Sequence, residues 1–357
     1  MPKSKFVRVY LMAVSFILMA ALIINCGRQR SRKQIPVRIG WQASRVIPGQ
    51  VVQVLKRTSI PDRYPVKMEF KSFGDTGSFL EAIEADEADI LLVEDQWAVT
   101  LLARDTSWTI VARLAYERLP LYVPPDSPIG AISDLKRKTV GLPMGTPAQR
   151  EALKMLQNAG LNPPKDVRFL DLGMSEQADL VRKGSRSTWA RVDALMGYDP
   201  APARFEAQEK ARVLGTGKAI SVLLVSSAFL NRHAQIVPDV LAAFMDAHLF
   251  FAHHPDLACA WFSEEFHRDL STKELKICAA LEPNYRAMMK GQVSMNLSEL
   301  DLSALQEAAD FIFRQGLVSK RVDMRHYVDL DPLRRAEKSW WATGNLEPQI
   351  RKTVEGK

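Results

Sequence analysis

Val37-Arg38-Ile39-Gly40-Trp41 contains two β-branched residues and predicts the first strand of the fold. Helical periodicity follows over residues 49–56, and the next strand is predicted at Val66-Lys67-Met68-Glu69-Phe70. Strands and helices continue to alternate through Asp89-Ile90-Leu91-Leu92-Val93 as far as residue 226, and the chain beyond is mainly helical. Because this alternation is typical of parallel sheets covered by helices, the sequence predicts an α/β fold.

Proline and glycine residues divide the α/β part of the chain into two blocks. Clusters of them at 120–130 and 215–217 bracket the middle block, as expected for an inserted domain. We therefore predict two lobes joined by two crossovers, with a ligand between them at the carboxyl ends of parallel strands. The predicted limits are 36–121 and 219–330 for lobe I, 122–218 for lobe II, and 331–357 for a C-terminal tail.

The net charge of +7 is carried entirely by the N-terminal segment. Residues 1–33 hold seven basic residues and no acid, so the 48 basic and 41 acidic residues of the chain balance over the rest. A nucleic-acid-binding domain carries its basic excess on the domain itself. Nucleic acid is therefore not expected as a partner.

Residues 1–26 are predicted to be a signal peptide or a membrane anchor. Lys3, Lys5 and Arg8 precede an uncharged run over 9–24, which is long for a signal peptide and short of the roughly 20 residues that span a bilayer. The end of this run, Leu22-Ile23-Ile24-Asn25-Cys26, resembles a bacterial lipoprotein box, which implies lipidation of Cys26. The basic spacer over 27–35 opposes translocation, so an uncleaved anchor stays an alternative. Both predict an extracytoplasmic protein held at a membrane.

Two predicted helix starts are candidate binding elements, because free N–H groups and the helix dipole attract polar or anionic atoms. Thr146-Pro147-Ala148-Gln149, directly after Gly145, predicts a capping box with proline at the first helical position. Ser78-Phe79-Leu80-Glu81 predicts a second capping box, after the loop Phe73-Gly74-Asp75-Thr76-Gly77. Good helix caps without a ligand are the alternative for each.

The order of these motifs along the chain is similar to that in a known family. The motifs are Val37-Arg38-Ile39-Gly40-Trp41-Gln42, Phe73-Gly74-Asp75-Thr76-Gly77-Ser78, Ala88-Asp89-Ile90, Asp134-Leu135-Lys136-Arg137-Lys138-Thr139-Val140-Gly141, Gly145-Thr146, and Asp193-Ala194 with Tyr198-Asp199-Pro200. Over residues 36–330 the chain resembles the ABC-importer substrate-binding proteins of the sulfonate, taurine, nitrate and thiamine-precursor group. The resemblance implies a two-lobed type II periplasmic-binding fold that closes over a small solute and delivers it to a membrane permease, with no cofactor and no metal.

The resemblance also implies which residues line the cleft. From lobe I they are Gln42, Ser44, Gly74, Asp75, Thr76, Ser78, Asp95 and Trp97, and from lobe II they are Gly145, Thr146, Tyr198 and Asp199. Gln42 and Thr146 are expected to face each other across the cleft. The acids Asp75, Glu94, Asp95 and Asp199 would make the cleft acidic, which suits the N–H groups of a heterocycle or amine better than an oxyanion. Solvated loop acids are the alternative at each position.

An enzyme of the same fold, acting on a thiamine-pyrimidine-like molecule, and a ligand-sensing protein remain alternatives. Neither His nor Cys occurs over residues 27–232, so the predicted cleft lacks the commonest general base, metal ligand and thiol nucleophile. Glu94 and Asp95 are expected to point apart, as adjacent residues at a strand end. Cys259 and Cys278 are expected to be two buried thiols rather than a disulfide.

Overall fold

Strand segments of the chain pair into a single mixed sheet in the computed structural model, which describes residues 34–43, 45–74, 76–85, 87–266, 269–344 and 348–351, with the backbone alone at 76, 77, 80 and 84. Cys26, Ser44, Asp75 and the predicted export segment lie outside the described residues. The sheet order is β2-β1-β3-β8-β4-β7-β5-β6. Its strands are β1 Ile35–Gln42, β2 Val66–Phe73, β3 Ile90–Glu94, β4 Trp108–Val123, β5 Thr139–Leu142, β6 Arg168–Asp171, β7 Ala194–Met196 and β8 Arg212–Ser226.

Helices pack against this sheet and form most of the chain after β8. They are α1 Val46–Arg57, α2 Thr76–Glu84, α3 Asp95–Arg104, α4 Pro147–Asn158, α5 Met174–Lys183, α6 Ala201–Ala207, α7 Ser227–His233, α8 Val237–His253, α9 Pro255–Phe266, α10 Thr272–Cys278, α11 Glu299–Arg314 and α12 Asp331–Ala342. The predicted α/β class and the helical C-terminal region are therefore confirmed.

Two long antiparallel strands join the parallel parts of the sheet, and their length was not predicted from the sequence. Strand β1 pairs with β3 in parallel, and β5 pairs with both β6 and β7 in parallel. Between these groups β4 and β8 run antiparallel, from Trp108 opposite Ser226 to Val123 opposite Arg212. Pro120 was expected to mark a turn but lies inside β4, where the pairing register shifts one residue later, between Leu121 and Tyr122.

Separate hydrophobic cores form on the two halves of the sheet. Ile110 of β4 and Leu224 of β8 pack in the core around β3, α3 and α11. Leu119, further along β4, packs instead with Val140 of β5 and with the buried face of α4. We call these two regions the first half and the second half. The precise lobe limits stay a prediction, and this division of the core along β4 favours them.

The C-terminal helix α12 packs on α8 through the side chain of Trp340. Trp340 is buried, and its indole N–H donates a hydrogen bond to Asp246 Oδ1 at 2.6 Å. Trp341, the next residue, is exposed. In the described part of the chain no single helix is long and apolar enough to cross a membrane, and α7 with α8 passes that test only as a pair bent by 107°.

The predicted capping box at Thr146 is wrong in its hydrogen bonds, and the one at Ser78 is wrong in its position. Helix α4 begins with Pro147 in its first turn, as predicted, but the Thr146 hydroxyl makes no capping bond and donates to Pro143 O at 2.7 Å. Gln149 Oε1 instead accepts from Gly145 N at 2.7 Å, and Gly145 has a positive φ of 73°, which favours glycine. Helix α2 begins at Thr76, so Ser78 lies inside it.

Candidate ligand-binding site

Polar side chains gather where the parallel strands of the first half end. Gln42 ends β1 and Glu94 ends β3, and each is 1% exposed. Gln42 Oε1 accepts a hydrogen bond from the Glu94 backbone N–H at 2.7 Å. Gln42 Nε2 and Glu94 Oε2 are buried and make no hydrogen bond within the described part of the chain. Since buried polar groups are normally paired, these two atoms are candidates for contact with a polar group of a ligand.

Arg45 connects this place to the second half of the sheet. Its guanidinium lies 3.6 Å from Glu94 Oε1 and 3.4 Å from Glu117 Oε2, and it stands over the ring of Tyr198 at 5.4 Å. Burial raises the pKa of Glu94 to about 8; Arg45 opposes that rise and the Asp95 carboxylate adds to it. Glu94 and Asp95, expected to point apart, therefore influence each other, because one ends β3 and the other begins α3.

A buried ion pair joins the two halves directly. Asp95, in the first turn of α3, accepts two hydrogen bonds from the Arg150 guanidinium on α4, both at 2.9 Å. The backbone N–H of Ile220 also donates to Asp95, at 3.2 Å. Beside this pair, Gln96 Nε2 donates to Gly145 O at 2.5 Å. Two parallel N–H···O bonds to a carboxylate fix orientation as well as energy, so this contact holds α3 and α4 in one relative position.

Asp199 lies on the second half, after β7. Its Oδ1 accepts from the Ala203 backbone N–H at 3.1 Å, and its Oδ2 lies 3.8 Å from Arg118 Nε. Burial raises the pKa of Asp199 to about 6, against the opposing effect of Arg118. Asp199 borders a cavity of about 10 Å³, also lined by Glu117 and Arg118, which has room for about one water molecule.

A larger, mostly apolar cavity of about 430 Å³ opens next to Tyr198. It lies beyond the carboxyl ends of β6 and β7, and Asp269 and Leu270 of the segment before α10 also line it. Its lining residues are Met174, Ala178, Tyr198, Pro200, Ala201, Arg204, Phe205, Asp269 and Leu270. Tyr198, which lines this cavity, also lies under the Arg45 guanidinium.

The structure brings some of the predicted site residues together and leaves others apart. Gln42, Asp95, Gly145, Tyr198 and Asp199 lie along the chain of contacts just described. Gln42 and Thr146 do not bond to each other.

The other predicted residues have different surroundings. Trp97 is half-buried and packs against Phe79 at 4.8 Å, on the edge of the core of the first half, and its place at the cleft rim stays a prediction. Ser78 is half-buried within α2, and Gly74 is exposed with open space around it. The Thr76 side chain lies outside the described part of the structure.

Buried arginines, which were not predicted from the sequence, change the expected acidic cleft. Arg45, Arg118 and Arg150 each contact one or two of its carboxylates. A sequence signal existed for Arg118, because Arg113, Glu117 and Arg118 place charges in a mainly apolar strand. Cys259 and Cys278 are both free and buried, as expected. Among the described residues no group of three or more His, Cys, Asp or Glu side chains is arranged to hold a metal ion.

Two groups of parallel strands, joined by two long antiparallel strands and linked by buried ion pairs, define a two-part α/β protein. The family model of the periplasmic substrate-binding protein of phosphonate ABC transporters matches residues 53–247, more than half of the chain. The chain belongs to this family of periplasmic substrate-binding proteins, which lie outside the cytoplasm. No curated protein matches it in sequence.

Solved structures of similar fold include two sulfonate-binding proteins and one enzyme. The aliphatic sulphonate binding protein SsuA of Escherichia coli is 20% identical, with a TM-score of 0.67 over 90% of this chain and 97% of that one. The periplasmic sulfonate-binding protein SsuA of Methylobacillus flagellatus is 15% identical, with a TM-score of 0.72 over 90% and 99%. A cysteine-to-serine mutant of DszB in complex with biphenyl-2-sulfinic acid is 14% identical, with a TM-score of 0.64 over 86% and 99%. These likenesses confirm the predicted periplasmic-binding fold.

Proposed function

We propose that this protein captures a small polar organic solute between the two halves of its sheet and delivers it to the permease of an ABC importer. The observation that carries the proposal is the unpaired polar surface of Gln42 and Glu94, buried beside the contacts that join the halves. A solute that contacts both halves stabilises the closed arrangement by its differential affinity for it. Lobe closure, without covalent chemistry, is then the mechanism.

Energetics support a ligand at this place. Leaving a buried polar group without a hydrogen bond costs about 1–3 kcal/mol, and more for a charged group. Gln42 Nε2, Arg45 Nε and Glu94 Oε2 are such atoms, all in one cluster. A solute that pairs with them removes this cost on binding. The other contacts implied by the resemblance, at Ser44, Gly74, Asp75, Thr76 and Ser78, stay part of the proposal.

A thermal-shift screen tests the proposal with sulfonates, phosphonates, nitrate, pyrimidines and small amines. A true ligand raises the melting temperature as its concentration rises. At a hundred times its Kd it adds about 2.7 kcal/mol to the free energy of unfolding. Gln42→Leu removes one unpaired donor and is expected to weaken the effect, whereas Gln208→Leu, outside the cluster, is the control. If none of these solutes stabilises the protein, the binding function is contradicted.

An enzyme of this fold is the second candidate, because the desulfurization enzyme DszB is among the structural neighbours. One of those DszB structures carries serine in place of a cysteine, whereas the present chain has no cysteine over residues 27–258. A thiol nucleophile from that part of the chain is therefore ruled out. Turnover of any stabilising solute by the purified protein would favour the enzyme over the binding protein.

We also propose that the N-terminal segment tethers the protein to the membrane, through lipid on Cys26 or as an uncleaved anchor. The motif 22–26 and its apolar run support this. Radiolabelled fatty acid is expected on the native chain and not on Cys26→Ala. Label that persists on Cys26→Ala contradicts lipidation, and release of the native protein from washed membranes contradicts both forms of tether.

A further inference from the structure

Three of the most exposed apolar side chains in the described part of the chain lie on one turn and on the end of the helix beside it. Met288 is 74% exposed, and Met289 and Trp341 are each 59% exposed. Met288 and Met289 immediately precede the short turn Lys290–Gln292. The Trp341 ring covers this turn, because a Cβ built on Gly291 would lie 2.8 Å from Trp341 Cη2. We call Met288, Met289 and Trp341 the apolar patch.

Trp341 differs in exposure from the other tryptophans of the chain. All seven tryptophans lie within the described residues, and Trp341 is the exposed one. Trp340, beside it, is 1% exposed and already holds α12 to α8 through its hydrogen bond to Asp246. A large apolar patch that stays exposed commonly marks an interaction surface. The apolar patch is therefore a candidate contact surface.

Basic side chains flank the apolar patch on α12. Arg334, Lys338 and Trp341 are spaced four and three residues apart, so they share one face of the helix, and all three are exposed. The acids of this helix are Asp331, which pairs with Arg334, and half-buried Glu337. At membrane interfaces, tryptophan rings lie at the level of the headgroups, and lysine and arginine attract anionic lipids. The chemistry of this face therefore fits an anionic lipid surface.

Helix α12 ends near the edge of the sheet where the chain enters β1. Trp340 donates to Asp246 Oδ1 at 2.6 Å, and the Tyr64 hydroxyl donates to Asp246 Oδ2 at 2.9 Å. Tyr64 comes two residues before β2. The Ala43 N–H donates to Phe73 O at 3.0 Å, so β1 and β2 end side by side and their starts lie at the same edge.

The chain ahead of β1 is short enough to keep this region at a bilayer. Eight residues separate Cys26 from β1, and ten separate the apolar run 9–24 from it. A fully extended chain spans at most about 3.6 Å per residue, so either form of the proposed tether ends within about 40 Å of β1. A surface near the start of β1 is then within reach of the lipid.

From this placement we infer that the apolar patch rests on the bilayer to which the N-terminal segment tethers the protein. Trp341 lies at the level of the headgroups, and Lys338 meets anionic headgroups. This inference rests on the proposed tether. It adds a second contact with the membrane, which fixes the orientation of the folded body relative to the membrane plane.

Quenching of tryptophan fluorescence by brominated lipid tests the inference on the full chain. The native protein is reconstituted into vesicles of phosphatidylethanolamine and phosphatidylglycerol in equal parts, with and without bromine on the acyl chains. About one seventh of the emission is expected to be lost to bromine, because one tryptophan of seven is exposed and residues 1–33 contain none. Trp341→Phe is expected to abolish this loss. The control Trp97→Phe, on a half-buried tryptophan of α3, is expected to keep it.

Flotation of the vesicles on a density gradient distinguishes this inference from the tether. Protein that floats with the vesicles and shows no quenching retains the tether and overturns the inference, whereas protein that does not float overturns both. Equal quenching of the native chain and of Trp341→Phe also overturns the inference. A dimer in detergent solution that Trp341→Phe dissociates would assign the apolar patch to a second copy of the chain and overturn it as well.

Discussion

Arg150→Met tests how the two halves of the sheet are held together. Asp95 is fully buried, and the two 2.9 Å bonds from Arg150 are its charge-bearing contacts. The substitution leaves the carboxylate with the hydrogen bond from Ile220 N–H at 3.2 Å and its contact with the Glu94 side chain. Removing one partner of a buried ion pair costs about 3–5 kcal/mol, because the other charge stays buried.

This cost converts to a measurable shift in thermal stability. With an unfolding entropy of about 2.1 cal/mol/K per residue, a body of roughly 320 residues loses about 1.5 °C per kcal/mol, so the melting temperature is expected to fall by about 5–8 °C. Lys154→Met is the matched control, because Lys154 lies on the same helix and pairs with Glu307 at 2.6 Å in an exposed position. An exposed pair contributes about 1 kcal/mol or less.

The double variant Asp95→Asn with Arg150→Met distinguishes two effects of Arg150→Met on stability: the lost attraction between the two side chains, and the burial of an unpaired Asp95 carboxylate. The introduced amide would still accept the Ile220 hydrogen bond and carries no charge, so at least half of the lost stability is expected to return. Urea denaturation of the wild type, Lys154→Met, Arg150→Met and the double variant measures this. The reasoning is refuted if Arg150→Met costs no more than Lys154→Met, or if the double variant is as unstable as the single one.

Three further outcomes follow from the structure. Burial raises the pKa of Glu94 from an ordinary 4.5 to about 8, so its contribution to stability is lost as pH rises towards 8, whereas buried His248 acts in the opposite sense only below its ordinary value of 6.5. Wild-type stability is therefore expected to fall in urea titrations between pH 6.5 and 8; Glu94→Gln is expected to lose this fall, and an unchanged slope contradicts it. Gly141→Ala puts a Cβ 2.5 Å and 2.8 Å from two leucine side chains and is expected to lower the free energy of unfolding by about 1–3 kcal/mol in urea denaturation. Gly130→Ala meets only ordinary contacts and serves as the control. Equal stability of the two variants would contradict tight packing around Gly141. Trp340→Ala is expected to cost about 3–5 kcal/mol, and exposed Trp341→Ala much less, when both are compared by the same method; equal losses contradict the packing of α12.

The order of strands and helices is readable from the sequence, because each short strand is a run of β-branched or apolar residues bounded by turn residues. Val66 to Phe70 predicts most of β2, and Asp89 to Val93 overlaps most of β3. The full length of β4 is not readable, because Pro120 lies within it and its partner β8 follows about 90 residues later. Pairing between distant segments is set by tertiary packing, which local propensity does not record.

The site is only partly readable for a similar reason. Gln42 and Asp95 follow predicted strands, so their place at the strand ends can be inferred from topology alone. Arg150 is one residue on an amphipathic helix, and nothing local distinguishes a buried guanidinium there from an exposed one. Its role depends on Asp95, 55 residues away in sequence, and only the fold brings the two together.

Distance measurement by electron paramagnetic resonance between spin labels on the two halves tests whether the halves close over a solute. Lys67→Cys on β2 and Lys183→Cys on α5, both exposed in the native chain, carry the labels in a Cys26→Ala background. A saturating solute from the screen is expected to narrow the distribution of label-to-label distances to a single short distance. Arg150→Met without solute is expected to shift the distribution to longer distances. A distribution that neither the solute nor Arg150→Met alters would contradict closure of the two halves over a ligand.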